Sequence, residues 1–264
     1  IINSMLFNSE VWYGITQTQV EQFEEVDKLY IRKILNAPIS TPAEALYLEM
    51  GCMPIRYIII ARRVNYLHYL LSLDKEEMLS QFFEVQWENS SKNDWTEKIR
   101  EDLKLLNIQC DLSMIKRMKQ AKFSELVKKQ CRSVALEYLL NIKESHSKMD
   151  NLKYSELKLQ SLYKSKQVYS TTAKNIFKWR TRMFELKNNF KTKYSNFSCP
   201  LCFKHLDDDE SLLTCEILNS PKSENINLNY KDLFKQDVEK MLSIGKSLQE
   251  AWTERNVLLS ENLS

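Results

Sequence analysis

With 264 residues, a formal net charge of +3 and only three glycines and five prolines, the chain is long enough for one or two cores and too poor in breakers for a strand-rich fold. The scarcity of glycine excludes a glycine-rich phosphate loop, and neither a serine in a nucleophile-elbow context nor a histidine pair at i, i+4 is present, so no small-molecule substrate is expected. Six cysteines, three of them close together, suit a reducing, intracellular compartment with metal use better than a disulfide framework.

The chain begins with Ile1 rather than Met, which points to a fragment or a processed product, and the apolar run 1–7 is too short for a secretory signal. Residues 1–14 are apolar and aromatic, with Trp12 and Tyr13 ahead of a turn at Gly14. From Thr18 the apolar positions Val20, Phe23, Val26, Tyr30 and Ile34 recur at helical spacing, which predicts an amphipathic helix. It must end near Asn36, because Pro38 restricts the residue before it and removes a donor. Thr41, Pro42 and Glu44 read as a capping box with proline at the first helical position, and Gly51 as the left-handed cap closing a helix over residues 42–50.

Pro54 opens a longer helix to Leu73, apolar at Ile55, Ile58, Ile59, Val64, Leu67 and Leu71. Arg62 and Arg63 in its middle rule out a membrane span. Arg56, Arg62 and Arg63 read either as a solvated face or as phosphate contacts. His68 has no cysteine or carboxylate at ligand spacing and is expected to pack or lie at the surface. Residues 74–88 and 93–106 read as two helices opened by Asp74 and Asn93. Residues 114–141 follow as one helix, with Phe123, Val127 and Leu139 among its inward positions and a run of Lys and Arg around them; residues 143–151 read as a linker.

Residues 153–193 carry eleven Lys or Arg against Glu156 and Glu185 alone, interleaved with aromatics that include Tyr154, Tyr163, Tyr169, Phe177, Phe184 and Phe190. Cations neutralise phosphates and aromatic faces stack on unpaired bases, so Lys174, Lys178, Trp179, Arg180, Arg182, Lys187, Lys191 and Lys193 are candidate contacts to RNA or DNA. The same pattern also fits an ordinary amphipathic helix after the Ser170-Thr171-Thr172 cap, with aromatics inside and charges in water.

Cys199-Pro200-Leu201-Cys202 puts two thiolates on one tight turn, and Cys215 follows at the interval tetrahedral zinc uses for a second ligand pair. The fourth ligand is left to His205, Glu210, an outside group or nothing, and three free thiols without metal is the competing reading. In the tail, Leu233, Phe234, Val238, Met241 and Leu242 predict one short helix, Gly245 a break, and Leu248, Trp252, Val257 and Leu258 another.

Several phrases together carry a resemblance: Asn8-Ser9-Glu10-Val11-Trp12, Leu29-Tyr30-Ile31-Arg32-Lys33-Ile34-Leu35, and Ser40-Thr41-Pro42-Ala43-Glu44-Ala45-Leu46-Tyr47-Leu48-Glu49-Met50-Gly51. With Pro54-Ile55-Arg56 and Ala61-Arg62-Arg63 they resemble the segment after the polymerase palm in non-LTR retrotransposon reverse transcriptases. Cys199-Pro200-Leu201-Cys202 and Asp208-Asp209-Glu210-Ser211-Leu212-Leu213-Thr214-Cys215 resemble the zinc-binding element near the C-terminus of the same proteins. That family has a histidine where Ser211 stands, so either His205 substitutes or the site has decayed.

The aromatic-x-Asp-Asp turn that holds magnesium in the family's polymerase centre does not occur here, so the resemblance implies the thumb and C-terminal region without the active site. It implies a mostly α, multi-helix bundle with a zinc-knuckle-like loop: a thumb-like region 1–73, a connector 74–150, a basic segment 151–193, the knuckle 194–217 and a helical tail 218–264. It further implies zinc on Cys199, Cys202, His205 and Cys215, with magnesium confined to an upstream polymerase domain of the same polypeptide. The partners implied are RNA and DNA, in nucleus and cytoplasm and without a membrane; an element-derived helical scaffold or adaptor with a degenerate zinc site is the alternative.

Overall fold

The structure, a computed structural model, describes residues 2–92, 94–141, 152, 155–165, 170–218 and 238–261. Among these, the chain forms eleven α-helices and no β-strand, with an isolated antiparallel bridge between Ser198 and Leu206. The expected linker 143–151, the helix opener Asn93, the aromatics Tyr154 and Tyr169, and the tail residues Leu233 and Phe234 lie outside the described residues.

Two compact units divide the chain: Ile1–Tyr30 with Met53–Leu139, and Ile31–Cys52 with Leu140–Ser264. Residues 31–52 belong with the C-terminal half, because Glu49 is held there by Arg180 and Tyr163.

The first unit contains α1 (Ile2–Met5), the start of α2 (Gln17–Leu35), α4 (Ile55–Ser72), α5 (Met78–Glu88), α6 (Trp95–Leu105), α7 (Leu112–Arg117) and α8 (Gln120–Asn141). A capping box starts α2: the Thr16 N–H donates to Gln19 Oε1 at 2.9 Å and the Gln19 N–H donates to Thr16 Oγ1 at 3.3 Å. Leu6, Val20, Ile55 and Ile59 form one buried cluster. The single helix expected over 114–141 is two. Asp111 caps α7 by accepting from the Ser113 and Met114 N–H groups, and Met118 is extended before α8 begins. The Met118 carbonyl accepts from His68 Nε2 at 2.7 Å, and the imidazole stacks on Phe123, so His68 is a packed residue. Helix α8 buries Phe123, Val127, Cys131, Ala135 and Leu139, a four-residue spacing that turns its charges outward.

In the second unit, α2 ends in a left-handed Asn36 (φ 51°) and the Ala37 N–H donates back to the Arg32 carbonyl at 2.9 Å, two residues before Pro38 terminates any continuation. The Thr41–Glu44 box does not form. Pro42 itself is the cap of α3 (Ala43–Met50), and the Thr41 hydroxyl is buried without a partner. Gly51 fulfils its expected role at φ 62°, where a Cβ would lie 1.9 Å from the Lys158 carbonyl carbon.

Helices α9 (Ser170–Arg180), α10 (Ser211–Thr214) and α11 (Val238–Glu261) complete this unit. Gly245 does not break α11. It sits where α11 crosses α9 so closely that a Cβ would lie 2.4 Å from Thr172 Cγ2 and 3.0 Å from Ile176 Cδ1. Trp179, Phe184, Leu186, Leu212, Leu248 and Ala251 pack together in its core, with Cys199 and Cys215 among them. No helix among the described residues is long and apolar enough to cross a membrane.

Candidate metal centre and basic surface

The cysteine turn is built by a short antiparallel pairing on either side of it. The Cys199 N–H donates to the His205 carbonyl at 2.8 Å, and the Asp207 N–H to the Phe197 carbonyl at 2.7 Å. Within that loop the Phe203 N–H donates to the Cys199 carbonyl at 2.9 Å, and Phe203 takes a left-handed φ of 58°. This conformation is costly for a bulky side chain and leaves the phenyl ring 74 % exposed. Helix α10 then returns Cys215 beneath the turn, its N–H donating to the Ser211 carbonyl at 2.9 Å.

The result is convergence of three sulfurs. The Sγ atoms of Cys199, Cys202 and Cys215 all lie within 4.8 Å of one another, and Cys199 and Cys215 are 3.9 Å apart. Two thiolates on one tetrahedral zinc, each at about 2.3 Å, sit about 3.8 Å apart, so this donor set fits a thiophilic metal. Peptide N–H donation from Lys204 lowers the Cys202 thiol below its ordinary range. Burial, with Cys199 adding to it, pushes Cys215 up to about 11.

His205 does not join the sulfurs. Its backbone carbonyl closes the turn while its side chain is exposed, and among the described residues no fourth cysteine, histidine or carboxylate enters the group. Glu210 is exposed as well. The Ser211 hydroxyl is engaged locally, donating to the Asp208 carbonyl at 2.8 Å and accepting from the Asp208 N–H at 3.0 Å.

The acidic run beside the turn faces inward. Asp207 is fully buried, accepts from the Lys187 N–H at 2.9 Å, and pairs with buried Arg255 of α11 at 2.8 Å. Arg255 Nη1 also lies 4.0 Å from Cys199 Sγ, so one guanidinium ties α11 to the thiol cluster. Asp209 accepts from Asn189 Nδ2 at 3.0 Å and lies 3.4 Å from Arg182 Nε; burial pushes its carboxyl up to about 6. Arg255 and Asn189 carried no sequence signal. The Asp run was visible, but its inward direction was not.

The basic candidates divide sharply. Arg180 is completely buried, 2.6 Å from Glu49, which also accepts from the Tyr163 hydroxyl at 2.8 Å. Trp179, Phe177 and Phe184 are buried in the core, so these four offer nothing to a ligand. Arg182 is committed to Asp209. In the first unit, Arg63 is 2 % exposed and bonded to Asp102 at 2.6 Å and to the Trp12 carbonyl. Arg56 is bidentate to Glu24 at 2.8 and 2.7 Å. Arg62 donates to the Leu6 carbonyl and to Asn3 Oδ1, tying down the N-terminal segment.

The three arginines of α4, read from sequence as a solvated face or as phosphate contacts, are thus engaged within the fold. Lys174, Lys178 and Lys187 are half-buried, Lys187 Nζ donating to the Ser198 carbonyl at 3.3 Å; Lys191 and Lys193 are exposed, the latter paired to Glu185 at 2.9 Å. Comparison with protein-family models, with curated proteins and with solved structures finds no match to this chain.

Proposed function

We propose that this chain is a non-catalytic nucleic-acid-binding region of an RNA-directed DNA polymerase of the non-LTR retrotransposon kind, working beside an upstream polymerase domain of the same polypeptide. The observation that carries this reading is the convergence of Cys199, Cys202 and Cys215 on one turn. Zinc bound there would cross-link the ends of the loop and fix a small rigid surface. That surface presents Phe203, a free-standing aromatic face on which an unpaired base can stack, with Lys191 and Lys193 exposed earlier in the same unit.

Arg180, Trp179 and Arg182 serve this function only indirectly, by holding α9 and the cysteine loop in place. Cations at the surface attract phosphate without reading sequence, so the grip is electrostatic and salt-sensitive. Purified in reducing buffer, the chain is expected to carry about one zinc, lost in Cys202→Ser together with affinity for a single-stranded RNA probe. Cys202 is chosen because it is half-buried, so its replacement disturbs the core less than that of Cys199.

A second reading, an element-derived helical scaffold or adaptor with a relic cysteine site, is favoured by two observations. Cys199 and Cys215 are nearly fully buried among apolar side chains, and the hydroxyl of Ser211 is committed to a turn. Metal-free protein whose unfolding midpoint is unchanged by Cys202→Ser would decide for that reading.

A further inference from the structure

A second unbalanced run of charge lies in the first unit, on α7 and α8. Between Leu112 and Leu136 the sequence holds seven Lys or Arg against Glu125 alone. Lys116, Arg117 and Lys119 surround the junction of α7 and α8, and all three are exposed. Along α8, Lys122, Lys128, Lys129 and Arg132 are exposed too, opposite the buried face of Phe123, Val127 and Cys131.

An ordinary solvated helix face interleaves acids and bases at i, i+3 and i, i+4. Three other helices of this chain do so: Lys28 pairs with Glu25 on α2, Lys98 with Glu101 on α6, and Lys246 with Glu250 on α11. Among the described residues none of the seven α7–α8 cations makes an ion pair. Instead, Lys128 and Lys129 each stand one turn before Arg132, an arrangement of like charges that weakens a helix and that a bound polyanion would relieve.

We infer that the outer face of α7–α8 is a docking surface for the phosphate backbone of duplex nucleic acid. This inference rests on the nucleic-acid reading above and assigns it a second contact. Lys122 to Arg132 spans about 15 Å along the helix, the axial length of about four phosphates of one strand. The face carries no exposed aromatic, since Phe123 is buried, so it lacks the platform on which single strands stack. The apolar side of α8 is occupied by the unit's own core, which removes the insertion that membrane-surface helices depend on.

The test uses the full chain, a labelled mixed-sequence DNA duplex, its single strand, and vesicles of phosphatidylserine. Replacing Lys122, Lys129 and Arg132 together by alanine is expected to weaken duplex binding about tenfold or more and to reduce the log–log salt slope by about 3, with the single strand much less affected. All three side chains are exposed, so the variant keeps the far-ultraviolet circular dichroism of the parent. Unchanged duplex affinity and slope in this variant, with binding lost in Lys174→Ala, Lys178→Ala, Lys191→Ala, overturns this inference and leaves the proposed function standing. Absence of binding to any nucleic acid overturns both. Preferential binding to vesicles through the same three residues assigns the surface to anionic lipid instead and overturns the inference.

Discussion

Arg180 and Glu49 form an ion pair in which neither side chain is exposed, and that burial sets the cost of breaking it. Removing one member strands the other as an uncompensated buried charge, so Arg180→Met is expected to lower stability by about 3–5 kcal/mol, read as the shift of the urea midpoint. A loss below about 1 kcal/mol would mean that Glu49 reaches water or accepts a proton at little cost. Asp209 supplies the titrating residue. Burial holds its folded-state pKa at about 6, above the unfolded value, so the folded chain takes up a proton between about pH 4 and 6 and stability falls as pH rises through that window. The expected loss is roughly 3 kcal/mol by pH 7. In Asp209→Asn this pH dependence disappears, and the variant gains on the parent as pH rises from 4 to 7. A difference between the two that stays constant over that range would contradict the assignment.

Residue-scale roles were the least legible part of the sequence. The interleaved cations and aromatics of residues 153–193 fitted both a surface grip and an ordinary amphipathic helix with its charges in water, and neither reading put Arg180 inside. What placed Arg180 inside was Glu49, 131 residues away, for which no local pattern exists. The arginines of α4 behaved the same way, finding Asp102, Glu24 and the N-terminal backbone only on folding. The Cys-x2-Cys turn and Cys215 were legible because thiol spacing is local chemistry, whereas excluding His205 required the direction of its side chain.

At the scale of elements, the crossing of α9 and α11 is the contact most open to test. Gly245→Ala gains helix propensity of about 1 kcal/mol, but its methyl meets the β-branched Thr172 at 2.4 Å, and overpacking of this kind costs about 1–3 kcal/mol. A net fall in thermal midpoint is expected, with partial recovery when Thr172→Ser removes the methyl that is struck; equal midpoints for parent and Gly245→Ala would show that the crossing is looser. Gly51→Ala is expected to cost more, because φ there is positive and the atoms struck belong to the backbone of Lys158.

Helices were legible wherever apolar spacing was unbroken, and their ends were not. Thr16–Gln19 and Thr41–Glu44 satisfy the same box pattern, yet only the first closes, because Pro42 takes the cap position in the second and Thr41 is buried. Gly245 read as a stop because glycine is a poor helix former. It is instead the small residue that a close helix crossing demands, and a single sequence contains no trace of the partner helix.

For the whole molecule, the proposed function rests on the convergence of Cys199, Cys202 and Cys215 and on what holds that turn in place. Arg255 links Cys199 to Asp207 and thereby α11 to the turn. Chelation is therefore expected to lower the thermal midpoint of the second unit, while Cys52→Ser, outside the cluster, leaves zinc content unchanged.

The most direct test is the affinity of the zinc-loaded chain for a labelled RNA or DNA probe measured across salt concentrations. A log–log slope falling by about 0.9 for each phosphate neutralised on duplex, and about 0.7 on single strands, is the predicted result. Binding that is flat in salt, or no binding at low salt, would contradict the nucleic-acid account and leave the scaffold reading in its place.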